Sequence, residues 1–207
     1  MMQLYPRRRE FLAVLSAGFF CRRVPAAQSG WLTLFDGRTL NGWRAEGKAD
    51  WRVEDGAIVG RQGPGEAPGD LFTVGQWADF ELQLDWKMRW PGNSGIWFRY
   101  SGRGKAYQAD FLDQASQPGI LSGSLYCPGK KFIAENRDPA TVHKDGWNSL
   151  RIRAVGDRIV IEQNGKKVVD VRDNTIPGPG SIGIQVHPGK KFAGMEVRVR
   201  NVRLLPL

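Results

Sequence analysis

Cysteine is scarce in this chain, since its 207 residues include only Cys21 and Cys127. Cys21 lies in an N-terminal leader that we expect to be removed, so no internal disulfide can form in the remaining chain. The lone Cys127 is either a nucleophile or a half-buried structural thiol, and the frequent burial of free cysteines favours the thiol. Long apolar runs are also missing. None reaches the ~18 residues that a membrane-spanning helix needs.

A concentrated basic segment is the third absence. The net charge is +9, but five arginines against one glutamate give the leader up to Ala26 a net +4, which leaves +5 for the rest. In that remaining part Lys and Arg are scattered along predicted strands and form no run. This distribution is typical of a solvated surface and argues against nucleic acid as a partner.

The leader has the order of a twin-arginine export signal. Arg8-Arg9-Glu10-Phe11-Leu12 opens it, an apolar run follows to Phe20, and Val24-Pro25-Ala26 suits a peptidase. The alternatives are a disordered basic tail and a lipoprotein site at Cys21, which the preceding bulky rings disfavour. We therefore predict a signal peptide over residues 1–27 and a single domain over residues 28–207. Such a signal predicts export to the periplasm or the cell exterior.

Glycine and proline, in contrast, are abundant. The 26 Gly and 12 Pro, many of them between short apolar-alternating runs, favour an all-β domain. Gly156-Asp157 and Asn164-Gly165 are two-residue hairpin turns that join the predicted strands Trp147–Val155, Arg158–Gln163 and Lys166–Val171. We interpret Pro128–Lys144 as a long loop. The many short strands, with no internal repeat, predict a two-sheet β-sandwich.

The stretch from Asp79 to Asp113 has the strongest pattern. Apolar and polar residues alternate from Phe80 to Trp90, which predicts a strand with one buried face. Two further strands are predicted over Ser94–Tyr100, with Ile96, Phe98 and Tyr100 on one face, and over Tyr107–Leu112. Aromatic planes beside polar groups suit a sugar ring. The residues that the three strands bring together in this way are Asn93, Trp97, Arg99, Gln108, Asp110 and Asp113.

An ordered set of short motifs resembles one known family. The motifs are Leu34-Phe35-Asp36-Gly37, Trp51-x-Val53-Glu54-Asp55-Gly56, Gly92-Asn93-Ser94-Gly95-Ile96, Gly146-Trp147-Asn148 and Gly183-Ile184-Gln185-x-His187. Together they resemble the 3-keto-disaccharide hydrolase domain family, over essentially all of the chain after the leader. The resemblance implies a concanavalin A-like jelly-roll β-sandwich of two antiparallel sheets. It also implies cleavage of glycosides whose sugar was first oxidised to a 3-ketone.

The third strand of the central stretch departs from the family pattern. Gln108 stands where relatives commonly have Glu, and Asp110 stands where they commonly have Gln. The carboxylate has moved by two positions and therefore stays on the same face of the strand. Either the chemistry is preserved, or the substrate has changed or activity is lost.

The reaction implied by the resemblance assigns roles to named residues. A 3-ketone acidifies the C2 proton, so the site needs a base, a group for the enolate oxygen and a proton donor. His187 is the best candidate for the base or a metal ligand, Asp110 or Asp113 is the alternative, and Arg99 is the candidate for holding the enolate. Asn93, Gln108 and Gln185 are candidates for binding hydroxyls. A divalent cation is a candidate cofactor, although no spacing fixes its ligands.

Each of these residues also has a structural interpretation. His187 precedes Pro188-Gly189 and fits a surface loop, Arg99 fits a cross-strand pair with Asp110, and Trp97 fits either the core or a sugar platform. A carbohydrate-binding module without catalysis is the alternative function. A β-glucanase is disfavoured, because Gln83 interrupts the carboxylates Glu81 and Asp85. Carbohydrate is the expected partner, and the oligomeric state stays open.

Overall fold

Fifteen strands and two short 3₁₀ turns make up residues 30–207, the part of the chain that the computed structural model describes. The predicted export signal lies outside these residues and stays a prediction. The strands are β1 Leu32–Thr33, β2 Trp43–Gly47, β3 Asp50–Glu54, β4 Ala57–Arg61, β5 Gly69–Thr73, β6 Phe80–Arg89, β7 Ser94–Gly102, β8 Lys105–Phe111, β9 Leu121–Cys127, β10 Lys131–Asn136, β11 Asn148–Val155, β12 Arg158–Gln163, β13 Lys166–Arg172, β14 Ser181–Val186 and β15 Glu196–Pro206. None of the described segments is a helix long and apolar enough to cross a membrane.

The strands form two antiparallel sheets. The first sheet has the order β13-β12-β11-β6-β15-β4-β3, with β1 also paired to β15, and the second has the order β10-β9-β8-β7-β14-β5-β2. Neighbours in the chain are joined by hairpins in several places, but β6, β14 and β15 pair with strands far away in sequence. The two-sheet sandwich that the sequence predicts is therefore confirmed.

The core lies between the sheets, because each sheet turns its apolar side chains towards the other. Along β6 the even-numbered residues from Phe80 to Met88 are buried and the odd-numbered ones are more exposed, as the alternation predicts. Trp86 of β6 stacks on Phe111 of β8, with ring centroids 4.0 Å apart. Burial of each such ring contributes roughly 2–3 kcal/mol, so this contact holds the sheets in register. The outer faces are left for other roles.

Two local predictions are wrong. A bulge at Arg99, which has a φ of +52°, shifts the register of β7 and turns Tyr100 to the outer face, where its ring stacks on Phe72 at 3.8 Å. Tyr100 therefore does not share a face with Ile96 and Phe98. The second error is Pro128–Lys144, which contains the edge strand β10; its pairing with β9 is interrupted by bulges, and this weakens the alternation.

Candidate active site

Six of the eight predicted site residues line one cleft on the outer face of the second sheet. The cleft has a volume of about 300 Å³ and opens between the strands β7, β8, β9 and β14. The predicted residues in it are Asn93, Trp97, Gln108, Asp110, Gln185 and His187. Tyr126 and Phe132 close one side, and sequence reasoning missed both because β9 and β10 have weak patterns.

Strand register explains why residues far apart in the chain meet here. Asp110 pairs with Gly95, and Gln185 pairs with Asp70, while Ile96 pairs with Ile184 between them. The outward residues of four adjacent strands therefore form one row. Gly95 leaves the middle of this row without a side chain. A Cβ there would lie 2.7 Å from the carbonyl oxygen of Ala109 and 2.8 Å from Cγ of Gln108, so a larger residue would not fit.

Asp110 is the chemically unusual group of the cleft. It is only 5% exposed, and its carboxyl has no hydrogen-bond or ion-pair partner among residues 30–207. Burial raises the pKa of Asp110 well above its ordinary value. An ionised carboxylate without a partner costs several kcal/mol in such a place, so the protonated form is favoured. A neutral carboxylic acid at the floor of a cleft can donate its proton to a bound ligand.

His187 is the second candidate proton-transfer group of the cleft. Its Nδ1 lies 2.9 Å from the carbonyl oxygen of Pro188, an acceptor, so in the neutral ring Nδ1 carries the proton and Nε2 is the basic nitrogen. The ring is half-buried and packs edge-on against Phe192 at 5.2 Å between centroids. Gln62 donates a hydrogen bond of 2.9 Å to the His187 carbonyl. These contacts hold His187 at the rim of the cleft; His143, in contrast, is exposed, as expected.

Two amides fix the polar floor between these groups. Nε2 of Gln108 donates to Oε1 of Gln185 at 3.0 Å. This bond leaves Nε2 of Gln185 and Oε1 of Gln108 without a partner among the described residues. The pair therefore presents one donor and one acceptor to a ligand, which suits a sugar carbonyl and a sugar hydroxyl.

Trp97 separates this cleft from a carboxylate that sequence reasoning missed. Its ring is half-buried, and Nε1 donates a hydrogen bond of 2.8 Å to Asp70. Burial, together with the charge of Glu46, raises the pKa of Asp70 to about 6, although the Trp97 hydrogen bond lowers it. Asp70 closes a Gly- and Pro-rich loop in the sequence. The only signal was its alternation with Leu71, which points inward.

Arg99 does not lie in the cleft, contrary to the prediction. The bulge at its own backbone removes its side chain from the face of Trp97, and the guanidinium is 2% exposed. It donates to the carbonyl oxygens of Ala78 at 2.9 Å and Gly156 at 2.8 Å, and it pairs with Asp79 at 3.3 Å. The cross-strand pair with Asp110 is thus absent as well, and Arg99 tightens one end of the sandwich.

Asp113 also lies elsewhere. Its Oδ1 accepts a hydrogen bond of 2.7 Å from the backbone N–H of Ser116, which caps the turn after β8. The residue lines a separate cavity with Trp90 and Trp147. Neither the enolate-binding role of Arg99 nor the substrate-binding role of Asp113 therefore has support from their positions.

Cys127 and the candidate metal can be judged from the same contacts. Cys127 is fully buried in the core, and burial raises the pKa of its thiol, which agrees with a structural role. Within residues 30–207, no three side chains of His, Cys, Asp or Glu are grouped closely enough to hold a metal ion. Asp110 and His187 alone are too few for a divalent-cation site built from protein ligands.

Comparison with known proteins gives one family. A profile of the 3-keto-alpha-glucoside-1,2-lyase-like domain matches residues 30–205. A 3-keto-disaccharide hydrolase from Bacteroides thetaiotaomicron is 41% identical over 176 residues, which cover 72% of this chain and 60% of that protein. The chain thus spans less than two thirds of the length of this relative.

Solved structures agree on the fold. A Parabacteroides distasonis protein superposes with a TM-score of 0.65 at 21% identity, covering 86% of this chain and 99% of that chain. The carbohydrate-binding module CBM66 from Bacillus subtilis superposes with a TM-score of 0.60 at 20% identity, covering 78% of this chain and 94% of that chain. These likenesses confirm the concanavalin A-like jelly roll. Since the profile match extends over most of the chain, this protein belongs to the 3-keto-alpha-glucoside-1,2-lyase-like domain family.

Proposed function

We propose that this chain is an exported enzyme that cleaves the glycosidic bond of 3-keto-glycosides. The observation that carries the proposal is the buried, unpartnered carboxyl of Asp110 in the same cleft as His187. The family match and the 3-keto-disaccharide hydrolase among the relatives support this substrate class. The twin-arginine pattern of the leader supports export to the periplasm or the cell exterior.

Binding of the oxidised ring comes first. The apolar face of a pyranose packs on the ring of Trp97, and its hydroxyls reach Asn93 and Oε1 of Gln108. The C3 ketone faces Nε2 of Gln185, the free donor of the amide pair. An amide donor there stabilises the oxygen as it gains negative charge, and it takes over the role that the sequence assigned to Arg99.

Elimination follows from the two proton-transfer groups. Nε2 of His187 removes the C2 proton, and the electron pair of the C2–H bond forms the enolate. The enolate then collapses, a C1–C2 double bond forms, and the C1–O bond to the leaving group breaks. Asp110 gives its proton to the departing oxygen, for which its raised pKa prepares it. The products at this point are the leaving alcohol and an enone.

Hydration restores both groups. The Asp110 carboxylate takes a proton from water as the water oxygen adds to C1. The protonated His187, half-buried at the rim of the cleft, exchanges its proton with solvent and returns a solvent proton to C2. One water molecule is consumed, both side chains regain their starting states, and the sum of the steps is hydrolysis. Acid–base assistance of this kind contributes typically ~10²- to 10⁴-fold per group.

The test is incubation of the purified domain with a 3-keto-disaccharide and with its unoxidised parent, in D₂O. We expect release of a 3-keto sugar from the oxidised substrate only, with deuterium at C2 above the level of an enzyme-free control. Cleavage of the parent sugar, or cleavage without deuterium at C2, would contradict the mechanism.

A carbohydrate-binding module is the second candidate function. The neutral Gln108–Gln185 pair favours it, because two side-chain amides bind hydroxyl and carbonyl groups but transfer no proton. Binding of sugars in the cleft without release of product from either substrate would select this function.

A further inference from the structure

A second cleft lies next to the proposed catalytic cleft on the same sheet. It has a volume of about 560 Å³, and Trp97 and Pro128 line both clefts. Its other walls are Glu46, Pro68, Asp70, Tyr100 and Arg103. Trp97 therefore stands between two clefts, with Asp110 at the floor of one and Asp70 in the other.

Asp70 has spare capacity to accept hydrogen bonds. Trp97 donates to Oδ1 at 2.8 Å, while Oδ2 has no partner within the described part of the chain. Burial holds much of the carboxyl away from water, so a ligand hydroxyl that donates to Oδ2 would make a charge-assisted hydrogen bond.

The remaining walls combine flat apolar surface with polar edges. The ring of Tyr100 is stacked on Phe72, and its hydroxyl donates to Glu46 at 3.1 Å. Arg103 lies at the tip of the β7–β8 turn between two glycines, is exposed, and has no ion-pair partner among residues 30–207. A pyranose, with apolar faces and hydroxyl edges, matches this combination.

The two carboxylates lie too far apart to contact the same sugar ring. Asp110 and Asp70 lie in one cross-strand row on β8 and β5, with β7 and β14 between them. Three strand spacings of about 4.8 Å separate their Cα atoms by about 14 Å. A leaving sugar whose connecting oxygen lies at Asp110 would extend past Trp97 towards Asp70.

We propose that the second cleft is a pyranose subsite for the leaving sugar of a 3-keto-disaccharide, and that Asp70 and Arg103 determine specificity there. This inference rests on the proposed function. Neither residue takes part in proton transfer to the reacting ring. Both are expected to act through the hydroxyls of the leaving sugar.

The experiment compares a 3-keto-disaccharide with 4-nitrophenyl 3-keto-glucoside, which has no second pyranose. For Asp70→Ala we expect the ratio of kcat/KM on the disaccharide to kcat/KM on the aryl glycoside to fall about 10- to 100-fold. Arg103→Ala touches neither Trp97 nor Asp70 and lies at an exposed turn, so it tests the cleft without disturbing the fold. We expect it to lower the same ratio about 3- to 10-fold.

An unchanged ratio in both variants would overturn the subsite, even if Asp70→Ala loses activity on both substrates through Trp97. If the unmodified protein cleaves neither substrate, the proposed function fails, and calorimetry with glucose and with unoxidised glucose disaccharides then tests the subsite alone. Tighter binding of a disaccharide, lost in Arg103→Ala, would support it. Equal binding of glucose and every disaccharide would overturn it.

Discussion

Two arginine-paired glutamates of the first sheet and the two cleft carboxyls of the second sheet lie in opposite environments. On the first sheet Glu81 pairs with Arg151 at 2.7 Å and Glu54 pairs with Arg61 at 2.8 Å. These hydrogen bonds from arginine lower the pKa of both glutamates. On the second sheet Asp110 and Asp70 have no cation within ion-pair distance among residues 30–207, and burial raises the pKa of each.

This contrast distinguishes carboxylates that stabilise the fold from carboxyls that can transfer protons. A carboxylate held by an arginine is kept ionised, so it is a poor proton donor at neutral pH. A carboxyl that burial keeps partly protonated can donate and then accept a proton. Pairing also explains why a β-glucanase interpretation of β6 fails, since Glu81 is tied to Arg151 and Asp85 contacts Arg200. We therefore expect the second sheet to carry the chemistry.

The largest expected effect is on the second face, at His187. We expect His187→Ala to lower kcat on a 3-keto-disaccharide by ~10²- to 10⁴-fold, because the base for the C2 proton is lost. His143→Ala is the matched control, since that ring is exposed and does not line the cleft. Steady-state kinetics measure kcat of both variants. A comparable loss of kcat in both would contradict a specific role for the second sheet.

Substitution of Arg99 tests whether the buried guanidinium at one end of the sandwich has a structural role. Arg99→Met removes the donors to three backbone carbonyls and the pair with Asp79, so we expect the free energy of unfolding to fall by about 2–4 kcal/mol. Urea denaturation measures this loss. Activity per folded molecule should stay near the unmodified value at low temperature. Unchanged stability together with lost activity would support the catalytic role that the sequence predicted for Arg99.

Asp70 gives a pH-dependent test of the unpaired face. Its folded pKa of about 6 exceeds the ordinary 3.8, so in this window the unfolded chain loses the proton while the folded chain keeps it. As pH rises from about 4 to about 6, this group therefore lowers the free energy of unfolding, by about 2–3 kcal/mol in total. Asp70→Asn lacks the titration, so its stability relative to the unmodified protein should rise by that amount.

Urea denaturation at pH 4 and pH 7 measures the difference. Asp145→Asn, which changes an exposed carboxylate, is the control. A stability difference between Asp70→Asn and the unmodified protein that is the same at both pH values would show that Asp70 is solvated like the control.

The smallest expected effect is on the paired face. Arg151→Met breaks the contacts with Glu81 and Glu162, both partly open to solvent, so we expect a loss of at most about 1 kcal/mol in the free energy of unfolding. High salt should reduce this loss further. The measurement is thermal unfolding at low and high salt, together with an activity assay that should show no change. A loss of activity would place function on the first face too.

Much of this architecture could be predicted from local patterns. The alternation along β6 and the Gly156-Asp157 and Asn164-Gly165 turns depend on side chains close in sequence, so they identified β6, β11, β12 and β13 with small errors at their ends. Trp97, Gln108 and Asp110 were found because they lie on predicted strands with an inferred outward face, whereas Asn93, Gln185 and His187 belong to motifs that resemble the family.

The failures come from features that only tertiary contacts decide. The bulge at Arg99 reversed the faces of Arg99 and Tyr100, and nothing in the neighbouring residues signals it. Asp70 follows a Gly- and Pro-rich stretch without a clear strand pattern, and its raised pKa depends on burial beside Trp97, which comes from a strand 27 residues later in the chain. A pattern can predict which face a residue occupies, but not how well water reaches it.

The most direct test compares one carboxyl from each face. Asp110→Asn and Glu81→Gln each replace a carboxyl with an amide of the same shape, and kcat/KM on a 3-keto-disaccharide is measured for both. The account predicts a loss of ~10²- to 10⁴-fold for Asp110→Asn, with an unfolding temperature no lower than that of the unmodified protein, and a change within about twofold for Glu81→Gln. Full activity in Asp110→Asn, or a large loss in Glu81→Gln, would contradict it.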